Sequence, residues 1–311
     1  MRTHTVRLFL CCFLCIAGCS PLEKNLPTEP SAALKEIINK IDQKVFAELS
    51  QHLQYKLIRR TLWIALPINK TLFVLSRSDG KSKKNAFDYR VTGKYLGDDN
   101  NLNFGYTITE GAPYDPQVRF APTDEEEKIF TFLYRHALYE FVQQDTSHLE
   151  LDFVCIDIID TVNKVGLSYR FNIDDLKKII FGMVRGIEVN IRMQQEFFYV
   201  TDTDVQKNTF LDRKEELTWG DFIANQIQTR VAYSLKDNDA FQNESNVESI
   251  ENTISQTIVN ATKETLQNYP FRNVNKLYIK NIALTKDGPA TPKIFYNYEL
   301  VGTDSTTATP K

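Results

Sequence analysis

The stretch "FDYRVTGKYLGDDNNLNFGYTI", Phe87 to Ile108, is the most informative about the fold. Phe87, Tyr89, Val91 and Tyr95 alternate with Asp88, Arg90, Thr92 and Lys94, and Leu102, Phe104, Tyr106 and Ile108 recur at the same interval. A period of two places apolar side chains on one face of a pleated strand, so each run predicts a strand with one dry and one wet face. The turn-forming "GDDNN" between them makes the pair an antiparallel hairpin.

Outward from this hairpin the same order recurs. On the N-terminal side, Leu34, Ile37, Ile38, Ile41, Val45, Leu49, Leu53 and Leu57 form a helical stripe from Ser31 to about Arg59, followed by an apolar run from Leu72 to Leu75. On the C-terminal side, Thr123-Asp124-Glu125-Glu126 predicts a capping box, with the Thr123 hydroxyl on the N3 amide and Glu126 reaching back, opening a helix to about Gln144. Strand patterns at Leu149–Ile159 and Val165–Phe171 flank "DTVNK", Asn172 caps a helix through Val184, and Ile187, Val189, Ile191 and Met193 alternate like a further strand. Trp219, Phe222, Ile223, Ile227 and Val231 mark another helix. Ser245 with Glu248 predicts a capped helix that Pro270 stops, and Leu277, Ile279, Ile294, Tyr296, Tyr298 and Leu300 predict a final hairpin around "TKDGPATP".

Helices alternating with strand pairs imply an α+β fold, helices layered on antiparallel sheet. The expected organisation is a leader at 1–18, a tether at 19–30, a helix and hairpin region at 31–111, an α+β region at 123–302 that is either separate or continuous with it, and a flexible tail at 303–311. The segment "APYDPQVRFAPT", Ala112 to Thr123, reads as the linker.

The N-terminus carries an address. Arg2 and Arg7 precede an apolar core from Leu8 to Ala17, the form of a secretory leader and too short for the roughly 20 apolar residues a spanning helix needs. Ile16-Ala17-Gly18-Cys19 resembles the lipobox of bacterial lipoprotein precursors, an aliphatic residue and two small ones before a cysteine. The resemblance implies cleavage between Gly18 and Cys19, a diacylglyceryl group on the Cys19 thiol, and acylation such as palmitate on the new amino terminus. Ser20, where the retention signal of that family has Asp, implies outer-membrane sorting. Two or three acyl chains at about 0.8 kcal/mol per buried methylene anchor stably, where one chain holds only reversibly. The proline-bearing "SPLEKNLPTEP", Ser20 to Pro30, predicts an extended spacer of up to roughly 35 Å.

Chemistry is harder to find. Lys and Arg total 37 against 40 Asp and Glu, a balance that argues against nucleic acid as partner, since phosphate binding needs clustered positive charge. Once the leader cysteines are removed and Cys19 is acylated, Cys155 stands alone in an alternating apolar run and reads as a small buried hydrophobe, with no disulfide available. No G-x-S-x-G, H-E-x-x-H or S-x-x-K constellation is present, and His52, His136 and His148 have no evident nucleophile beside them. Asp237 to Glu248 and Asp202 to Arg213 imitate calcium loops but carry Gln242 and Lys207 where glycine is required, so they read as solvated loops. Asp157 and Asp160 form an acid–base pair only in outline, since a strand end beside a turn commonly exposes its carboxylates.

No metal, cofactor or catalytic residue is therefore expected. The functional expectation is a non-enzymatic envelope lipoprotein, bound to the membrane through lipid on Cys19 and acting as a binding or assembly module for other envelope proteins. The alternatives are a carrier whose aromatic residues line a cavity for a lipid or other hydrophobic ligand, and an enzyme in which Asp152, Asp157, Asp160, His136 and His148 converge.

Overall fold

The computed structural model describes residues 29–77, 87–110, 118–143, 149–236, 246–282 and 291–301. The leader, Cys19, His148, the Asp237 loop with Ser245, and the 303–311 tail lie outside the described residues.

A five-stranded sheet forms the centre. Its strands are β1 (Gln54–Ile58), β2 (Thr61–Ile68), β7 (Phe153–Asp160), β8 (Val165–Asn172) and β9 (Gln194–Tyr199), in that spatial order. All eight residues of β7 are buried, and so are seven of the eight in β2. Both faces of this sheet are covered, which is why these strands read as continuous apolar runs without a period. Val154, Ile156 and Ile158 pack on one side with Leu62, Ile64, Leu167 and Phe171, beneath the helices α1 (Ala32–Leu49), α2 (Asp124–Phe132), α3 (Tyr139–Gln143) and α4 (Ile173–Ile180). Phe153, Cys155, Trp63 and Ala65 face the other way, toward the long helices α7 (Trp219–Lys236) and α8 (Val247–Asn268).

Beyond α7 and α8 lies a second sheet built on the hairpin that opened the sequence reading. Its strands β4 (Phe87–Leu96) and β5 (Asn101–Glu110) pair antiparallel, with Gly93 opposite Phe104 and Tyr95 opposite Leu102. β10 (Lys276–Asn281) joins β5 and β11 (Lys293–Tyr296) closes the far edge, giving the order β11-β10-β5-β4. Leu102, Phe104, Tyr106, Leu277 and Ile279 turn inward onto α7 and α8. A small antiparallel ribbon, β3 (Phe73–Arg77) with β6 (Val118–Pro122), and short helices α5 (Ile187–Arg192), α6 (Asp202–Lys207) and α9 (Asn297–Val301) complete the elements among the described residues.

The α+β reading holds, with specific corrections. Two pairings are parallel, β2 with β7 and β5 with β10, because each joins strands far apart in sequence rather than hairpin neighbours. The stripe read as one helix from Ser31 to Arg59 ends at Leu49. Ser50 turns left-handed at φ 54°, and Asp42 accepts the Leu53 N–H at 2.7 Å, so Leu53 and Leu57 pass onto the strand side of the break. The helix toward Gln144 is interrupted by a π-helical turn at Leu133–Ala137 that carries His136. Ile187 to Arg192 is helical rather than extended, fixed by the Glu188–Arg192 pair one turn apart. Tyr298 and Leu300 fall in α9, not in the last strand, and the helix assigned to Ser245 is capped by Asn246. The expected linker contains β6, whose pairing with β3 gives that segment a place in the fold.

α7 touches both sheets. Its Phe222 carbonyl accepts from Gln194 Nε2 at 2.8 Å, while Gln228 Oε1 accepts the Gly93 N–H at 3.0 Å. Gly220 allows this approach: a Cβ there would lie 1.9 Å from Tyr95 Cδ1, and the Tyr95 hydroxyl is itself held between Asn100 Oδ1 and Asn273 O. Although alanine is the better helix former, Gly220→Ala is expected to lower stability by about 1–3 kcal/mol because the ring cannot swing aside. Urea unfolding measures this; an unchanged or raised midpoint would mean that the Tyr95 ring yields.

Candidate functional site

Among the described residues, the groups singled out from sequence do not meet. Asp152 lies just before β7, accepting both Arg60 Nε and Nη2 at 2.8 Å and Trp219 Nε1 at 3.1 Å. Asp160 lies at the other end of that strand, roughly 25 Å away at about 3.3 Å per residue. His52 pairs with Asp42 at 2.8 Å, stacked on Phe46, and His136 offers its carbonyl to Lys44. Cys155 is buried, and burial pushes its thiol far above the usual range, the opposite of an activated nucleophile. Asp204 completes a capping box with Thr201 at the start of α6, and Asp202 pairs with Lys164. Among the described residues, no group of three or more His, Cys, Asp or Glu could hold a metal ion.

Asp157 and Asp160 correct the expectation of exposed carboxylates, since both are fully buried. Asp160 is a structural clamp. Its Oδ2 accepts from Leu72 N, Phe73 N and Asn163 Nδ2, and its Oδ1 from Val162 N and Asn163 N. Asp157 sits in mid-strand opposite Ser168 and forms an ion pair with Lys214, Nζ to Oδ2 2.7 Å. That ammonium also lies 4.5 Å from the Trp63 ring centre and 4.3 Å from that of Phe198. Burial raises the Asp157 carboxyl above its ordinary value, opposed by Lys214. Sequence reasoning missed this box because 57 positions separate its two charges and no local pattern links them.

In the core several aromatic residues pack against one another rather than lining the cavity that the carrier alternative needs. Phe153, Trp219, Phe222 and Tyr269 stand with ring centres 5.0–6.1 Å apart between the central sheet and α7. The Thr123 hydroxyl does accept the Glu126 N–H as expected, but the Glu126 carboxylate turns into the core to accept from the Tyr169 hydroxyl at 2.7 Å.

Among the described residues, one site with room for a ligand is a groove of about 510 Å³ on the outer face of the second sheet. The alternation that sends Leu102, Phe104 and Tyr106 inward sends Asn101, Asn103 and Gly105 outward, flanked by Thr92 and Lys94 on β4 and by Tyr278 and Lys280 on β10. Gly105, between Thr92 and Lys280 in register, removes a side chain from the floor and lets Ile282 fold over it, 2.9 Å from where a Cβ would be. Lys94 and Lys280 face the groove and Asp99 stands at its rim, so cations, amides and one tyrosine surround an apolar floor. Such a surface can hold an extended polar ligand carrying negative charge. The outward face of this hairpin was legible in the sequence as polar; its concavity was not, because β10 supplies the other wall.

No protein-family model, curated protein or solved structure matches this chain.

Proposed function

We propose that this protein is a bacterial envelope lipoprotein, held to the outer membrane by acyl chains on Cys19, whose α+β body is a non-enzymatic binding module. The observation that carries the address is Ile16-Ala17-Gly18-Cys19 behind a basic and apolar leader. No helix among the described residues is long and apolar enough to cross a membrane, so lipid is the means of attachment this reading uses. The groove on the second sheet is its ligand surface, and Lys94 and Lys280 favour an acidic segment of another envelope protein as occupant. An open groove suits such a segment better than a lipid tail, which would remain in contact with water.

Two measurements on native cells test this reading. A fatty-acid analogue should label the wild type and not Cys19→Ser; equal labelling of both removes the anchor. A photo-reactive residue replacing Tyr278 should capture a defined partner that the same residue at Tyr199, 80% exposed outside the groove, does not. That capture should be lost in Lys94→Glu/Lys280→Glu, and identical products from positions 278 and 199 would reject the groove.

A further inference from the structure

We infer that the loop between α4 and α5 is a membrane-contact surface that inserts into the interface of a bilayer containing anionic phospholipid. Phe181, Met183 and Ile187 are 55%, 74% and 54% exposed, an unusual concentration of large apolar side chains on one short turn. Their presentation is fixed by the backbone. Gly182 N donates to Ile179 O at 2.9 Å and Met183 N to Lys178 O at 2.8 Å, while Gly182 and Gly186 take positive φ of 69° and 61°. Arg185 Nε closes back onto Gly182 O at 2.8 Å, and Ile180, Val184 and Val189 pack against the core beneath. The apolar tip is thus held outward, with little ordering left to occur on contact.

Charge identifies the occupant. From Leu176 to Ile187 the chain carries Lys177, Lys178 and Arg185 and no acidic residue. Of the flanking carboxylates, Asp175 is committed to Arg192 and Tyr269, and Glu188 to Arg192 and Arg230, while the exposed Asp174 stands one turn before Lys177 and Lys178 and leaves the segment with a net positive charge. Three cations around three exposed apolar side chains match a surface of anionic headgroups over hydrocarbon, where each cation adds attraction that salt screens.

The inference stands on the loop and does not require the acyl anchor. For the test, the full chain carrying Cys19→Ser is held by an N-terminal histidine tag on vesicles with nickel-chelating lipid, so the body reaches the bilayer whatever its native attachment. An environment-sensitive fluorescent amino acid is placed at position 183 or, as control, at position 199. In vesicles containing phosphatidylglycerol, emission at 183 should shift to the blue and be quenched by spin-labelled acyl chains, while 199 stays unquenched. Lys177→Glu/Lys178→Glu/Arg185→Glu should reduce the inserted fraction roughly tenfold or more, as should high salt. A probe at 183 as water-exposed as that at 199 would overturn the inference, and equal insertion into phosphatidylcholine alone would overturn its electrostatic half. Neither outcome bears on lipid labelling of Cys19, so failure here and failure of the anchor are distinguishable.

Discussion

Asp160→Ala is expected to cost about 3–5 kcal/mol, measured as the loss of unfolding free energy in urea. The substitution removes both oxygens of a fully buried carboxylate and orphans four backbone N–H groups at once, those of Leu72, Phe73, Val162 and Asn163. Leaving even one buried donor unsatisfied costs roughly 1–3 kcal/mol, and the neighbours cannot all rotate toward water. Two chain segments come apart together: the turn from β7 to β8, and the start of β3 that Asp160 holds against it. Asp160→Asn is the informative control. One oxygen becomes an NH₂ facing N–H donors, so the isosteric change should recover little of the loss. Near-complete rescue by asparagine would show that the site needs neither the charge nor the second acceptor oxygen, and a loss below about 1 kcal/mol for alanine would refute the clamp.

Lys214→Met should be nearly as damaging at neutral pH, about 3–5 kcal/mol, because it leaves the Asp157 carboxylate buried without its counter-charge. The sign with pH follows from the direction of the Asp157 shift. A carboxyl whose pKa is raised in the folded state binds its proton more tightly there than in the unfolded chain, so its contribution to stability falls as pH rises from the ordinary aspartate value of 3.8 through the folded value. Removing Lys214 takes away an opposing influence and widens that window. The penalty of Lys214→Met should therefore be small in acid, where Asp157 is protonated in both states, and grow toward neutrality. Adding Asp157→Asn should restore most of the loss at neutral pH, since replacing both members of a buried pair is often near neutral. A penalty independent of pH, or a double variant as unstable as Lys214→Met alone, would reject the pairing.

How much of this was legible in sequence depends on where the deciding contact lies. The Phe87–Ile108 hairpin was readable because one face meets solvent and the alternation survives in the residue order. β2, "TLWIALPI", escaped for the opposite reason: with both faces covered, nothing in it alternates. Ile187 to Met193 did alternate and is still largely helical, because Glu188 pairs with Arg192 one turn on and with Arg230, a partner that no window of adjacent residues contains. The same limit hid the roles of the carboxylates. Asp160 stands in a turn sequence, yet the passage of Leu72 and Phe73 over it, far back in the chain, is what buries it. For the groove, the sequence supplied the polar face and the tertiary pairing of β5 with β10 supplied the hollow.

That last pairing also dictates a timetable. β10 aligns Lys276 with Asn101 and lies between β5 and β11, so the second sheet lacks one of its two interior strands until Asn281 has emerged from the ribosome. Until then the β5 edge offers unpaired amides and carbonyls to any neighbouring strand. A nascent chain halted before residue 276 should consequently be a sticky intermediate, in need of a chaperone, rather than a smaller version of the finished molecule.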